Sequence, residues 1–298
     1  MRMIASAAAL ALTLVSPAAP AFAQEQPQGG DAPTITVTGV RDVEKEAREF
    51  VSALTPAAVD GNVARFETNV CPRVIGAAPA QAAIMERRLR TVAKAAGLLL
   101  GREGCKTNAL MIITADKRAL LRALQNRGDY FGDRDTPSKI RRLLRDPGPA
   151  AFWRLEGFVT AFGTPLGRNA GEEIDYRQNN SRASRISTGT RLAVDGAVLI
   201  VEARALDGLT TTQLADYGAM RLFGSADPAD LTGSAPTILR VLTAAMGTEV
   251  PLTMTPRDLS FLRGLYASSE SLRTPAQRSE IRRRLLRELN QSEETRQE

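Results

Sequence analysis

Histidine does not occur anywhere in the 298 residues. That one absence removes Ser-His-Asp hydrolysis, Cys-His proteolysis and every imidazole-ligated zinc site. The sequence also lacks a G-x-S-x-G elbow, an S-x-x-K pair and a Walker glycine loop, so no common nucleophile or phosphate-cradling device is in place. An enzyme built on this chain would have to run on carboxylates, Tyr, Lys or Arg. Lysine is scarce too: 5 of the 39 basic residues are Lys, a bias that reads as genomic rather than functional. Spanning hydrocarbon takes ~20 apolar residues, and no segment beyond the first residues of the chain is apolar for that long.

What is there begins with three zones. Arg2 supplies a positive start, residues 4–15 are almost wholly Ala, Leu, Ile and Val, and Ala21-Phe22-Ala23 places small residues ahead of Gln24. The pattern predicts a cleaved secretory signal over residues 1–23. Pro17 and Pro20 interrupt the run before it could serve as an anchor, no Cys stands at the cleavage point, and one Arg alone precedes the run. Residues 24–32 are polar and rich in Gly and Gln, and are expected to be a disordered linker. Cleavage would leave 275 residues and remove one charge, Arg2, from a net +6. A modest positive balance suits an anionic envelope component as partner where the charges gather, and a solvated surface where they disperse. No concentrated basic run points to nucleic acid.

Cys71 and Cys105 both survive cleavage. In an oxidising compartment two such cysteines pair, closing a loop of about 35 residues and stabilising by roughly 3 kcal/mol. Two thiols without histidine make a poor metal site, and the spacing is not C-x-x-C, so a redox role is unsupported.

Along the chain, Thr34 to Thr38 reads as a short strand closed by Gly39. Residues 42–54 show helical spacing at Val43, Ala47, Phe50, Val51 and Leu54. A short extended stretch over residues 63–66 leads to Cys71. The clearest helix of this half covers 79–98, with Ile84, Leu89, Val92, Ala93 and Ala96 on its inner side and Pro79 in its first turn. Residues 108–114 are the continuous apolar run of a buried central strand. Ala119, Leu120, Leu121 and Leu124 begin another helix, and Ile140, Leu143 and Leu144 a shorter one behind Thr136-Pro137. Residues 151–160 and 187–205 read as strands joined by a polar loop over 163–184. Helices are then predicted over 211–222, 235–245, 255–268 and 274–289, with a frayed tail at 291–298. The expected class is α+β: a mixed sheet with covering helices in the first two thirds and a helical C-terminal third. Residues 33–150 and 151–290 form either two portions or one continuous domain.

Carboxylates for hydrolysis exist in two clusters. Asp129, Asp133 and Asp135 stand beside Tyr130 and Phe131, and Glu172, Glu173 and Asp175 lie in the polar loop. A glycan hydrolase needs one carboxyl with its pKa raised by burial, and neither cluster has the apolar setting for it. Asp135 reads as a helix start and Glu172-Glu173 as loop charge. Gly163 and Gly167 lack the strand-turn-helix context of a phosphate loop. In the last helix Ile281, Leu285 and Leu289 form one stripe while Arg282, Arg283, Arg284 and Arg287 lie elsewhere. Such a helix either packs its stripe on the core or lies on an acidic surface.

Three resemblances follow. Ile35-Thr36-Val37-Thr38-Gly39-Val40-Arg41 resembles the segment that opens the plug of TonB-dependent receptors, although no barrel pattern follows it. Residues 255–266, with Asp258, Leu262, Leu265 and Tyr266, are similar to the D-x-x-x-L-x-x-L-Y element of zincin-like exported proteins. That likeness would make residues 211–220 the metal-binding helix, yet this stretch has neither His nor Glu and cannot supply H-E-x-x-H. As a whole the chain resembles uncharacterised exported bacterial proteins with V-C-P near the first helix and an L-A-D-Y helix later.

The expected function is therefore an exported, non-catalytic binding or envelope-associated protein of unknown ligand, with no cofactor, no metal and no catalytic residue assigned. The alternatives are a metal-independent cell-wall hydrolase working on carboxylates, or a zincin-like fold kept without its metal. The helix at 211–220 is expected to be structural, with Leu214, Ala215, Gly218 and Ala219 as a close-packing face, Tyr217 buried, and Asp216 too solitary to hold zinc. Mass spectrometry of the exported protein should find Gln24 at its N-terminus in the soluble periplasmic fraction. An intact Met1 in a membrane fraction would contradict the assignment of the leader.

Overall fold

The computed structural model describes residues 43–55, 61–125, 127, 131, 136–166, 189–224, 226–231, 235–245 and 247–297. The predicted leader at 1–23, the predicted linker at 24–32, the predicted strand at Thr34 and the segment 35–41 lie outside the described residues. Within them the chain is α+β, with four strands in one mixed sheet and seven helices.

The elements follow from hydrophobic spacing. Helix α1 (Val43–Leu54) buries Ala47, Phe50, Val51 and Leu54 as its sequence predicts. Strand β1 (Pro72–Ile75) is followed by α2 (Pro79–Ala95) with Pro79 in the first turn. The inner face of α2 differs from expectation. Met85, Leu89, Val92, Ala93 and Ala96 are buried, whereas Ile84 is 42% exposed. Residues four and three apart share a helix face, so Met85 belongs with Leu89 and Val92, and Ile84 falls about 100° away.

Strand β2 (Ala109–Thr114) runs parallel to β1 on one side. Helices α3 (Lys117–Leu124) and α4 (Thr136–Arg145) follow, then β3 (Ala150–Thr160) and β4 (Thr190–Glu202). Strand β4 is parallel to β2 and antiparallel to β3, giving the order β1-β2-β4-β3. This pairing puts both predicted portions of the chain, 33–150 and 151–290, into one sheet. Ala109 and Met111 of β2, with Ala197, Leu199 and Val201 of β4, face the larger core, while Ile112, Val198 and Ile200 face the smaller. Such period-two alternation between two apolar layers is how a sheet covered on both faces reads. The smaller core holds α3 and α4 against the sheet, with Phe131 stacked on Trp153 at 4.8 Å between ring centroids.

Helix α5 (Thr211–Gly224) is buried from Gln213 to Gly224. Asp216 sits inside it fully buried, and Arg88 of α2 grips its carboxylate with two bonds of 2.7 and 2.9 Å. The Thr253 hydroxyl and the Met254 N–H each donate to the same carboxylate at 2.7 Å. These bonds tie α5, through its one carboxylate, to α2 and to the approach to α6 (Pro256–Ala267).

Two later segments depart from their predictions. Residues 235–245 form a single 3-10 turn, Ile238–Arg240, and further turns rather than an α-helix. Between Pro236 and the positive-φ Gly247 there is too little chain to repay nucleation of a free helix, and the fully buried Asp258 pins the segment at its start. Its carboxylate accepts from the Thr237 hydroxyl at 2.6 Å and the Ile238 N–H at 2.9 Å while closing the Thr255 capping box of α6. The last helix, α7 (Thr274–Gln297), extends beyond the predicted end at residue 289. No helix among the described residues is long and apolar enough to cross a membrane.

The turn between β1 and α2 is tight at Gly76, where φ is +84° and a Cβ would lie 1.9 Å from the Ile113 carbonyl oxygen. Gly97 has a similar φ of +88° but open space around the same position. Gly76→Ala should therefore lose at least about 2 kcal/mol in urea unfolding, and Gly97→Ala only about 1 kcal/mol. Equal losses would show that the close approach carries no cost.

Candidate functional site

Strand β4 has thirteen residues and β2 only six, and β2 pairs with Ala197 to Glu202 alone. The rest of β4 continues past the sheet with the end of β3 as a two-stranded ribbon. The segment before β1 is laid along that ribbon. The Val194 N–H donates to the Arg65 carbonyl at 2.9 Å, and the buried Asn62 side chain exchanges two bonds with the backbone of Leu192. On the other side the Gln277 side chain accepts from the Val63 N–H at 2.7 Å, and both groups of Thr274 donate to the Gly61 carbonyl. Between ribbon, segment and the end of α6 lies a cleft of about 420 Å³.

Its floor is charged. Arg191 is 3% exposed and Arg65 7%. Arg191 donates through Nε and Nη2 to the two oxygens of Glu67 at 2.7 and 2.8 Å, and through Nη1 to the carbonyls of Thr160 and Ala161. Its Nη2 also lies 3.4 Å from Glu270. Arg65 donates to the Leu265 and Ser268 carbonyls and to Glu270 at 2.9 Å, and sits over the Tyr266 ring. The bidentate pairing of Arg191 with Glu67, and the carbonyls and single carboxylate around Arg65, are what make these buried guanidinium groups tolerable. The Tyr266 hydroxyl donates to the Phe223 carbonyl at 2.9 Å, and burial pushes its pKa further up, so it stays protonated.

The rim is different. Phe162 is 85% exposed and Leu99 65%, and both line the cleft. Asp195 lies there also. The register passes from Leu155↔Gly196 to Glu156↔Val194, which leaves Asp195 as the extra residue of a β-bulge. Bulges re-aim one side chain, and here the carboxylate lies across Gly157, where a Cβ would stand 2.7 Å from its Oδ2. Asp195 is exposed on its outer side, but the loss of water on the inner side raises its pKa. No ion pair or hydrogen bond offsets that loss among the described residues. Glu67 and Glu270, by contrast, are held by guanidinium groups. The arrangement can accept hydrogen bonds at Asp195 and offer apolar contact at Phe162 and Leu99.

Asp129, Tyr130, Asp133, Asp135, Glu172, Glu173 and Asp175 lie outside the described residues, and Phe131 is buried in the smaller core. Cys71 and Cys105 form a disulfide with Cα atoms 5.9 Å apart, tying the start of β1 to the loop before β2. Ile281 and Leu285 of α7 are buried and Leu289 packs on the same core, while Arg283 and Arg287 face solvent. Gly163 has a φ of +80° in the turn that closes β3. Thr255 and Asp258 cap α6, and the Tyr266 hydroxyl ties its end to the Phe223 carbonyl. Among the described residues no three His, Cys, Asp or Glu side chains gather as a metal site. Arg65, Arg191, Asp195, Leu99 and Phe162 were not singled out from sequence. Asp195-Gly196 inside a β-prone stretch was the available signal, since a polar residue beside glycine in a strand marks a bulge. No family model matches the chain, and no curated protein or solved structure matches it.

Removing one partner of a buried pair leaves a bare charge. Arg191→Met should cost about 3–5 kcal/mol in chemical unfolding, and the double replacement with Glu67→Met should recover most of it. A loss below about 1 kcal/mol for the single variant would make the pair an ordinary surface bridge.

Proposed function

We propose that the chain is an exported, non-catalytic binding protein that holds an envelope polymer in the cleft above Arg65 and Arg191. The observation that carries this reading is the contrast between floor and rim. The floor arginines are engaged by carboxylates and carbonyls, while the rim presents two exposed apolar side chains and one carboxylate, Asp195, with no ion pair or hydrogen bond among the described residues. Exposed apolar groups beside convergent polar ones are the ordinary form of a ligand site. A ligand with an apolar face and hydroxyl or amine donors fits it, and cell-wall glycan and its peptides have both. The disulfide supports an oxidising compartment.

The raised pKa of Asp195 favours one second reading, a metal-independent hydrolase in which Asp195 is the general acid. Sedimentation with purified peptidoglycan sacculi separates the two. Wild-type protein should pellet with sacculi and release no soluble reducing ends, and Phe162→Ala and Asp195→Asn should each weaken binding by about tenfold, equivalent to 1.4 kcal/mol. Release of reducing ends that Asp195→Asn abolishes would establish the hydrolase instead. Protein that stays in the supernatant would overturn the envelope-polymer reading.

A further inference from the structure

Strand β3 is the last strand of the sheet, and a second cavity of about 340 Å³ lies along it between α4 and the end of α5. Lys139 and Arg142 reach it from α4, Phe152 and Arg154 from the strand, and Arg221 from α5. Arg221 is 7% exposed, as buried as Arg65, but its surroundings are unlike those of the cleft arginines. Its guanidinium lies 5.1 Å above the Phe152 ring and 5.9 Å from the Tyr217 ring. Its Nη1 reaches the Tyr217 hydroxyl only at 3.5 Å and the half-exposed Asp227 carboxylate only at 3.6 Å. Its Nε has no hydrogen-bond partner among the described residues. A guanidinium so deeply buried is expected to have close oxyanion partners, and among the described residues only the Asp227 carboxylate approaches it, at 3.6 Å.

The other acids of the cavity are engaged elsewhere. Glu156 pairs with Arg154 at 2.8 Å, and Asp146 accepts from the Gly148 N–H at 2.8 Å. Lys139 and Arg142 make no ion pair among the described residues. We propose that this cavity binds a phosphate-type oxyanion, held by Arg221 from the α5 side and by Arg142 and Lys139 from the α4 side. Two opposed sets of donors suit a tetrahedral anion, and the aromatic floor lowers the local dielectric and strengthens each charge-assisted bond. The anion arrives either free or as the headgroup of an acidic lipid. This site is distinct from the cleft around Asp195, and either can fail without the other.

The test is thermal unfolding with inorganic phosphate, matched in ionic strength with chloride, together with sedimentation against phosphatidylglycerol and phosphatidylcholine vesicles. Phosphate at about tenfold over its dissociation constant should raise the wild-type midpoint by about 3 °C more than chloride does. Arg142→Gln lies on the surface, should unfold as wild type without phosphate, and should weaken phosphate binding by about tenfold. Arg221→Met should abolish the phosphate response while keeping or raising the midpoint without it, because an apolar side chain replaces a buried charge whose one ion pair is long. Sedimentation with phosphatidylglycerol vesicles alone, competed by phosphate, assigns the headgroup as the source; a phosphate response without vesicle binding assigns the free anion. No phosphate response together with no vesicle binding overturns the proposal. So does a phosphate response that Arg142→Gln leaves intact, or vesicle binding that phosphate does not compete.

Discussion

Taking a guanidinium out of water costs several kcal/mol unless carboxylates and carbonyls meet it in its own plane. The pairing of Arg191 with Glu67 and of Arg65 with Glu270 meets that demand, and much of the molecule is organised around it. Arg191 binds the backbone where β3 ends, so the ribbon is fixed at its tip. Arg65 binds the backbone where α6 ends, so the C-terminal helices are fixed to the segment that precedes β1. Glu270 lies between the two arginines. A chain with no histidine and few lysines has placed its long-range polar contacts on arginine, whose planar fork suits backbone carbonyls as well as carboxylates. Asp216 and Asp258 do the same work from the acid side: Asp216 ties α5 to α2 and to residues 253–254, and Asp258 ties residues 237–238 to the start of α6, each around one buried carboxylate. Burial raises the pKa of Asp258, and the hydrogen bonds it accepts oppose that rise.

Against this pattern of nearly complete satisfaction, two groups set in cavities, apart from the unmet Nη1 of Arg257, are informative. Asp195 is lifted onto the cleft rim by a bulge and lies over a glycine without a charged partner. Arg221 is buried over aromatic rings with one donor unmet. Stable proteins satisfy buried polar groups almost everywhere, and unsatisfied groups are where a ligand has something to complete. The oxyanion reading of the second cavity rests on that physical logic, while the binding reading of the cleft rests on an exposed carboxylate that the cleft arginines leave unpaired. They differ in sign, one acceptor and one donor, and so in the ligands they suit.

Much of the fold was legible in the sequence, because local spacing decides it. The run at 108–114 became the central strand, the helices at α1, α2 and α5 stand where their spacing puts them, and the α+β class with its helical final third is what the structure has. The errors have local causes. Ile84 and Met85 are adjacent apolar residues, and only the register with Leu89 and Val92 says which one faces inward. Residues 235–245 read as a helix because the carboxylate that pins their start comes from Asp258, some twenty residues on. The site was far less legible. Arg65 and Glu270 are 205 residues apart, and Arg191 and Glu67 are 124 apart. Nothing in a linear pattern of charges pairs them. The bulge at Asp195 depends on the register between two strands, which their own sequences leave open. The clusters that sequence did single out, around Asp133 and Glu173, were contiguous, and contiguity is the only kind of proximity a sequence displays.

The central claim is that Asp195 is a free, partly desolvated carboxyl set apart from the locked acids of the same cleft. Its titration, followed by carbon-detected NMR with Asp195→Asn for assignment, tests this most directly. The account predicts a midpoint above the ordinary aspartate value of about 3.9, moving further when a cleft ligand donates to or covers the carboxyl. A midpoint at or below the ordinary value would mean that a cation or well-ordered donors already hold Asp195, and that the cleft has no unmet acceptor to offer.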